Sequence, residues 1–141
     1  MKTITKVLLV DDSEATIFFN KTILSKTGYA DEILVAKNGL EALEIIKSGV
    51  IPEIIFLDIN MPIMNGWEFL SEFQKLESTF RKTNIFLMLG SILPAEDKAV
   101  ADSIPEVKGF KGKMLSRVVM DTIVMECFNE EYFTKELTLM G

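Results

Sequence analysis

A doubly wound α/β domain with a five-stranded parallel sheet is predicted by three features of the chain. Short apolar runs alternate five times with longer stretches whose apolar residues recur at roughly i, i+3, i+4 spacing. The runs Val7–Val10 and Ile54–Leu57 are apolar at every position, as in parallel strands covered by helices on both faces. At 141 residues the chain is too short for a TIM barrel, which needs about 250. Right-handed crossovers in a chain of this length favour an open sheet, with strand order 2-1-3-4-5 expected.

Taken in order, the first strand is Lys6–Val10, and Asp11 and Asp12 end it. The helical pattern Ser13–Thr27 follows. The second strand, Glu32–Ala36, leads to the helix Leu40–Lys47. The third, Ile54–Leu57, leads through a loop of turn residues to the helix Gly66–Leu76. The fourth, Ile85–Leu89, precedes the helix Ala95–Ser103. The fifth, Val107–Lys111, precedes a last helix from about Leu115 to Phe128, with Val118, Val119, Thr122, Ile123 and Cys127 on one side. With no linker or low-complexity segment, residues 1–141 read as one domain with a core of about 5–128. Residues 129–141 either extend the last helix or fray.

Composition excludes several classes of function. The net charge of −6 disfavours direct nucleic-acid binding, which needs clustered Lys and Arg. No histidine is present, which removes imidazole bases, Ser-His-Asp triads and His-ligated zinc. A single cysteine, Cys127, allows no intrachain disulfide and fits a reducing compartment. No apolar run approaches the roughly 18 residues that span a bilayer, and Val7–Val10 is too short for a signal-peptide core. A cytoplasmic location without membrane contact is expected. Chemistry must come from carboxylates, lysines, hydroxyls and a borrowed cation.

The acids supply a candidate site. In a doubly wound sheet ligands bind beyond the carboxyl ends of the strands, where strand order reverses. Here that point lies between strands 1 and 3, so Asp11, Asp12 and Asp58 converge. Asp11 and Asp12 alone read equally well as a helix cap; Asp58 at the matching strand end shifts the balance to a site. Three carboxylates in one crevice stay ionised only beside a positive charge, and a hard divalent cation such as Mg²⁺ suits oxygen ligands. In "DINMPIMNG", Pro62 and Asn65-Gly66 close a loop that can aim a backbone carbonyl, that of Asn60, at the same point.

The stretches "VLLVDDSEATIFFNKTIL", "IIFLDINMPIMNGWEFL" and "VKGFKGKML" closely resemble the receiver domain of two-component response regulators, the chemotaxis-regulator-like family. The resemblance covers roughly residues 5–128. It implies a (βα)5 flavodoxin-like fold, with Asp58 as phosphoacceptor from a histidine kinase or phosphotransfer protein. It further implies Mg²⁺, or Mn²⁺ in its place, held by Asp11, Asp12, Asp58 and the Asn60 carbonyl, Asp12 more directly than Asp11. Lys113 resembles the family's lysine that pairs with the acceptor and then with the phosphoryl oxygens. Phe110 stands where the family carries an aromatic that turns inward on activation; as plain structure it would pack on the last helix.

Two positions depart from the family pattern. Gly90 occupies the slot of the Thr or Ser that bonds the phosphoryl group, leaving Ser91, one place on, as a partial substitute. Met114 follows Lys113 where the family has proline, so a trans peptide is expected there. Trp67 lies near enough to Asp58 to report on the site by fluorescence.

The resulting expectation is a stand-alone receiver whose output is a protein partner met through helix 4, strand 5 and helix 5, with no separate substrate turnover. The main alternative is a degenerate receiver that acts as an interaction module without phosphorylation, favoured by Gly90 and Met114. A phosphohydrolase using Asp58 is weaker, because no capping domain is present and Asn60 replaces a second acid.

Overall fold

A computed structural model describes residues 4–127 of the chain. Five strands, β1 (Ile4–Val10), β2 (Ala30–Ala36), β3 (Ile54–Asp58), β4 (Asn84–Leu89) and β5 (Val107–Gly112), form one sheet. All pairs are parallel and the order is β2-β1-β3-β4-β5, as expected. The intervening helices are α1 (Glu14–Thr27), α2 (Gly39–Lys47), α3 (Gly66–Gln74) and α4 (Ala95–Asp102). A fifth, α5, covers residues 117–127 of the described chain. The expected end of that helix at Phe128, and the segment 129–141, lie outside the described residues.

Alternation along the strands divides the interior into two cores. Leu8, Val10, Ile55, Leu57, Ile85 and Leu87 face α2, α3 and α4, where they meet Leu43, Ile46, Phe69, Phe73, Ala101 and Ile104. Val7, Leu9, Ile54, Phe56, Phe86 and Met88 face α1 and α5, where they meet Leu24, Leu115, Met120, Ile123 and Val124. Each fully buried side chain of this size stabilises the fold by about 1.5–3 kcal/mol before entropy is counted. No helix among the described residues is long and apolar enough to cross a membrane.

The helix ends are chemically specified. The Ser13 side chain caps α1 by accepting from the Thr16 N–H, and Gly28, at φ 71°, ends it by donating to the Leu24 carbonyl. The α3 start carries a full capping box: Asn65 accepts from the Glu68 N–H, and the Glu68 carboxylate accepts from the Asn65 N–H.

Two packing expectations are corrected. In α5, Val118 is 73 % exposed and Thr122 is also outward, whereas Met120, Ile123 and Val124 are buried. Val119, Ile123 and Cys127 pack inward as expected, but the buried face is centred between them and Met120 and Val124, so Val118 and Thr122, on the other side of Val119 and Ile123, turn to solvent. Phe110 does not pack on α5. It pairs in register with Leu87 and joins the core shared with α2, α3 and α4. A register shift after Ile85 sets this alignment, because Phe86 then faces Gly109 rather than Lys108.

Candidate functional site

The carboxyl ends of β1 and β3 meet at the sheet's switch point, as Val10 pairs with Leu57. The residues that follow, Asp11, Asp12 and Asp58, each offer a carboxylate oxygen, and these three atoms lie within 4.8 Å of one another. Asp58 is 1 % exposed and Asp11 is 7 % exposed, while Asp12 opens to solvent.

Neither Asp11 nor Asp12 caps α1, because Ser13 takes that role. Asp11 Oδ1 instead accepts from the Ser13 N–H at 2.8 Å, which fixes its carboxylate just ahead of the helix. Burial pushes the Asp11 carboxyl above the usual carboxylate range; the Ser13 bond opposes this and the neighbouring Asp58 charge reinforces it. A fourth acid, Glu14, is drawn away by Lys37, whose Nζ lies 2.8 Å from its Oε1.

Asp58 is held asymmetrically. Its Oδ1 accepts from the Ile59 N–H at 2.9 Å and faces Lys113 Nζ at 3.2 Å. Its Oδ2 is buried with no hydrogen-bond partner among the described residues. A buried, unpartnered carboxylate oxygen beside two further acids fits a hard divalent cation: the donors are all oxygen, and the negative charge exceeds what one ammonium balances.

Close backbone approach builds the floor of the site. Gly66 donates from its N–H to the Ile59 carbonyl at 2.8 Å, and a Cβ on Gly66 would stand 2.7 Å from the Asp58 carbonyl oxygen. Gly39 makes the second junction: its N–H donates to the Met64 carbonyl at 2.8 Å, and a Cβ there would stand 2.8 Å from the same oxygen. Between them Ile63 adopts φ 69°, a left-handed conformation rare for a β-branched residue.

A cleft of about 270 Å³ opens over Asp58 and is lined by Asn60, Trp67, Gly90, Ser91, Asp97 and Lys113 among others. It thus gathers the third-strand acid, the loop after it, the loop after β4 and the lysine after β5. Ser91 sits on the exposed rim of this cleft. A Cβ at Gly90 would lie 3.7 Å from Lys113 Cε, an ordinary contact, so room for a side chain exists there.

Every peptide bond among the described residues is trans, including that between Lys113 and Met114, and Met114 is half exposed. The turn is instead tied down by Asn20 of α1. Asn20 Nδ2 donates to the Lys113 carbonyl at 3.0 Å, and its Oδ1 accepts from the Leu115 N–H at 2.8 Å. Asn20 carried no functional signal in the sequence. The one available hint was a polar residue on the inward face of α1, in line with Ile17 and Leu24.

Comparison with known proteins places the chain among receiver domains. The family model of the response regulator receiver domain matches residues 7–98. A two-component response regulator from Cytophaga hutchinsonii superposes with a TM-score of 0.81 at 30 % identity, covering 91 % of this chain and 99 % of that one. The chemotaxis response regulator CheY4 of Vibrio cholerae gives 0.71 at 27 %, covering 89 % and 99 %. In sequence, the chain is 34 % identical over 83 residues to the chemotaxis protein CheY1 of Helicobacter pylori, covering 59 % of this chain and 65 % of that protein. It is also 32 % identical over 124 residues to the sensor histidine kinase CheAY of Helicobacter pylori, covering 85 % of this chain but only 15 % of the kinase.

Proposed function

The chain belongs to the response regulator receiver domain family of two-component signalling, and we propose that Asp58 is its phosphoacceptor, with Mg²⁺ bound by Asp11, Asp12, Asp58 and the Asn60 carbonyl. The observation that carries this reading is the Asp58 carboxylate, whose buried Oδ2 has no partner among the described residues while its Oδ1 faces Lys113.

A carboxylate is a competent nucleophile toward phosphorus when the repulsion between two anions is offset. Lys113 supplies part of that offset and is within reach of the phosphoryl oxygens once they arrive. The cation, when bound, neutralises further charge on the transferred group. The Ile59 N–H and the Gly66 junction hold Asp58 in place, so the chain's own contribution is positioning and a partly desolvated site. The donor is a histidine kinase or phosphotransfer protein, and the cleft lined by Gly90, Ser91 and Trp67 is its point of access.

The added negative charge is sensed by the loops around the cleft. Ser91 is the hydroxyl available to the phosphoryl group, in the absence of one at Gly90. Phe110, half-buried against the α4 side of the core, is the aromatic whose packing responds. A protein partner then reads α4, β5 and α5.

The rival reading is a phosphorylation-independent interaction module, which the glycine at position 90 favours. Intact mass after incubation with acetyl phosphate, with and without Mg²⁺ and beside Asp58→Asn, separates the two. A Mg²⁺-dependent gain of one phosphoryl group that Asp58→Asn abolishes is expected. No gain in the wild type, with Mg²⁺ binding verified by Trp67 fluorescence, would leave the module reading standing.

A further inference from the structure

Resting on the phosphoacceptor reading, we propose that Asn20 is a positioning residue for Lys113, and that its side-chain amide fixes the turn from which the lysine reaches Asp58. Asn20 is 4 % exposed and uses both ends of its amide on one short segment: Nδ2 donates to the Lys113 carbonyl at 3.0 Å, and Oδ1 accepts from the Leu115 N–H at 2.8 Å. The two bonds bracket Met114. They fix the peptide planes on either side of it, and with them the direction in which the Lys113 side chain leaves the backbone.

A buried amide spent wholly on a loop 93 and 95 positions away is costly unless both bonds persist. Leu115 anchors the far end of the segment in the core, but nothing else ties down the Lys113 end, since Met114 is an exposed side chain and the turn holds neither proline nor a disulfide.

The location of Asn20 gives the bracket its value. It lies on α1 two turns beyond the cap Ser13, whose N–H binds the Asp11 carboxylate. Over seven residues the helix rises about 10 Å and returns to the same face. One rigid helix therefore holds the acid pair at its start and the lysine-bearing turn at its middle. The two arms that flank Asp58, carboxylates on one side and ammonium on the other, are set at a fixed separation by α1. In the transfer, a bond forms between an Asp58 carboxylate oxygen and phosphorus as the donor's bond to phosphorus breaks. For a phosphohistidine this is a P–N bond, with the imidazole leaving with the electron pair; for acetyl phosphate it is a P–O bond, with acetate leaving with the electron pair. Lys113 must face the phosphoryl oxygens throughout, and a loose turn would misdirect it.

The test uses the full chain as Asn20→Ala, Lys113→Ala and the double variant. Phosphorylation by acetyl phosphate is timed over hours by intact mass at saturating Mg²⁺, and Mg²⁺ affinity is read from Trp67 fluorescence. Asn20→Ala is expected to slow phosphorylation about tenfold, to leave Mg²⁺ affinity within about twofold, and to cost nothing further in the Lys113→Ala background. Should Asn20→Ala not fold, Asn20→Asp takes its place, keeping an acceptor for the Leu115 N–H and losing the donor to Lys113. An unchanged rate, an equal loss in the Lys113→Ala background, or a parallel fall in Mg²⁺ affinity would overturn the positioning role alone. A wild type that takes up no phosphoryl group overturns the phosphoacceptor reading and the positioning role with it.

Discussion

Lys113 Nζ lies 3.2 Å from Asp58 Oδ1, and it is the one ammonium that meets a cluster of three carboxylates among the described residues. Its removal leaves a buried acid without its counter-charge. Because the lysine itself is more than a third exposed, Lys113→Ala is expected to cost only about 1–3 kcal/mol in metal-free protein. The deficit should shrink as Mg²⁺ is added, since a cation in the cluster replaces the missing charge. At a hundredfold excess over its Kd, Mg²⁺ itself should add about 2.7 kcal/mol. Urea unfolding of wild type and Lys113→Ala, with EDTA and with Mg²⁺, measures both effects. A deficit of equal size in the two conditions would mean that lysine and cation do not share the cluster.

The Asp11 carboxyl gives the metal-free protein a defined pH dependence. Burial is the main cause of its rise above the ordinary 3.8; the Ser13 N–H and Lys113 oppose the rise, and Asp58 and Asp12 assist it. The folded state therefore holds the Asp11 proton more tightly than the unfolded state does. Its contribution to stability is fully present below the ordinary value and is lost as pH rises through the raised one. In EDTA, Asp11→Asn should gain on wild type as pH climbs through that window and hold a constant advantage above it. In wild type, Mg²⁺ affinity should fall as the window is entered from above, because cation and proton compete for one carboxylate. Denaturation midpoints and Trp67 titrations across acid pH provide the comparison.

Much of this arrangement was legible in the residues, for reasons that are local. Continuous apolar runs in β1 and β3 marked the sheet centre, and the order reversal brought Asp58 to Asp11 and Asp12 without any knowledge of side-chain contacts. On α5 the inward Val119, Ile123 and Cys127 were legible, whereas Met120 and Val124 were not, because Val118 and Thr122 allowed the stripe to be drawn toward the opposite side. The plain-structure alternative for Phe110, packing on the last helix, fails because a β-bulge near Lys108 shifts the alternation, and a bulge leaves no clear mark in composition. Asn20 was silent for a different reason: its partners are backbone groups of a segment far along the chain, so no spacing rule links them.

Gly66 is required by contact rather than by backbone angle. A Cβ there would stand 2.7 Å from the Asp58 carbonyl oxygen and 2.9 Å from Ile59 Cα, both backbone atoms that no rotamer change can move aside. Gly66→Ala should therefore destabilise the fold by about 2–4 kcal/mol and weaken Mg²⁺ binding, because the shift falls on the residue that carries Asp58. Calorimetric melting and Trp67 titration report the two effects together. A stable Gly66→Ala with full Mg²⁺ affinity would show that α3 can retreat without disturbing the site.

Ile63 presents the opposite case. Its φ of 69° puts an exposed β-branched side chain in the left-handed region, and such a residue costs about 1–2 kcal/mol relative to a relaxed conformation. Ile63→Gly relieves the strain but frees the unfolded chain, so a net gain of about 0.5–1 kcal/mol is expected. Ile63→Asn should gain a similar amount, because asparagine tolerates this region and restricts the unfolded chain more than glycine does. The shift in the urea midpoint at unchanged slope is the measure. Loss of stability in both variants would mean that the Ile63 side chain makes contacts worth more than its strain.

Gly90 lines the cleft over Asp58, and a hydroxyl can be introduced there directly. A Cβ at this position meets only Lys113 Cε and Cδ, at 3.7 and 3.8 Å, so a side chain fits without displacing backbone. Gly90→Thr should leave the folding midpoint nearly unchanged, since the position is exposed and its φ is not left-handed. The new hydroxyl stands beside the lysine at the mouth of the cleft and can donate to a phosphoryl oxygen on Asp58. One such bond is worth about 0.5–1.5 kcal/mol, or roughly a two- to tenfold gain in the phosphorylated fraction at a fixed donor concentration. Ser91→Ala completes the comparison. In the wild type it should lower that fraction, because Ser91 is the hydroxyl at hand; in Gly90→Thr it should matter less, because the threonine has taken over. Quantitative intact mass across the four chains decides it, and a Ser91→Ala effect of equal size in both backgrounds would remove Ser91 from the site.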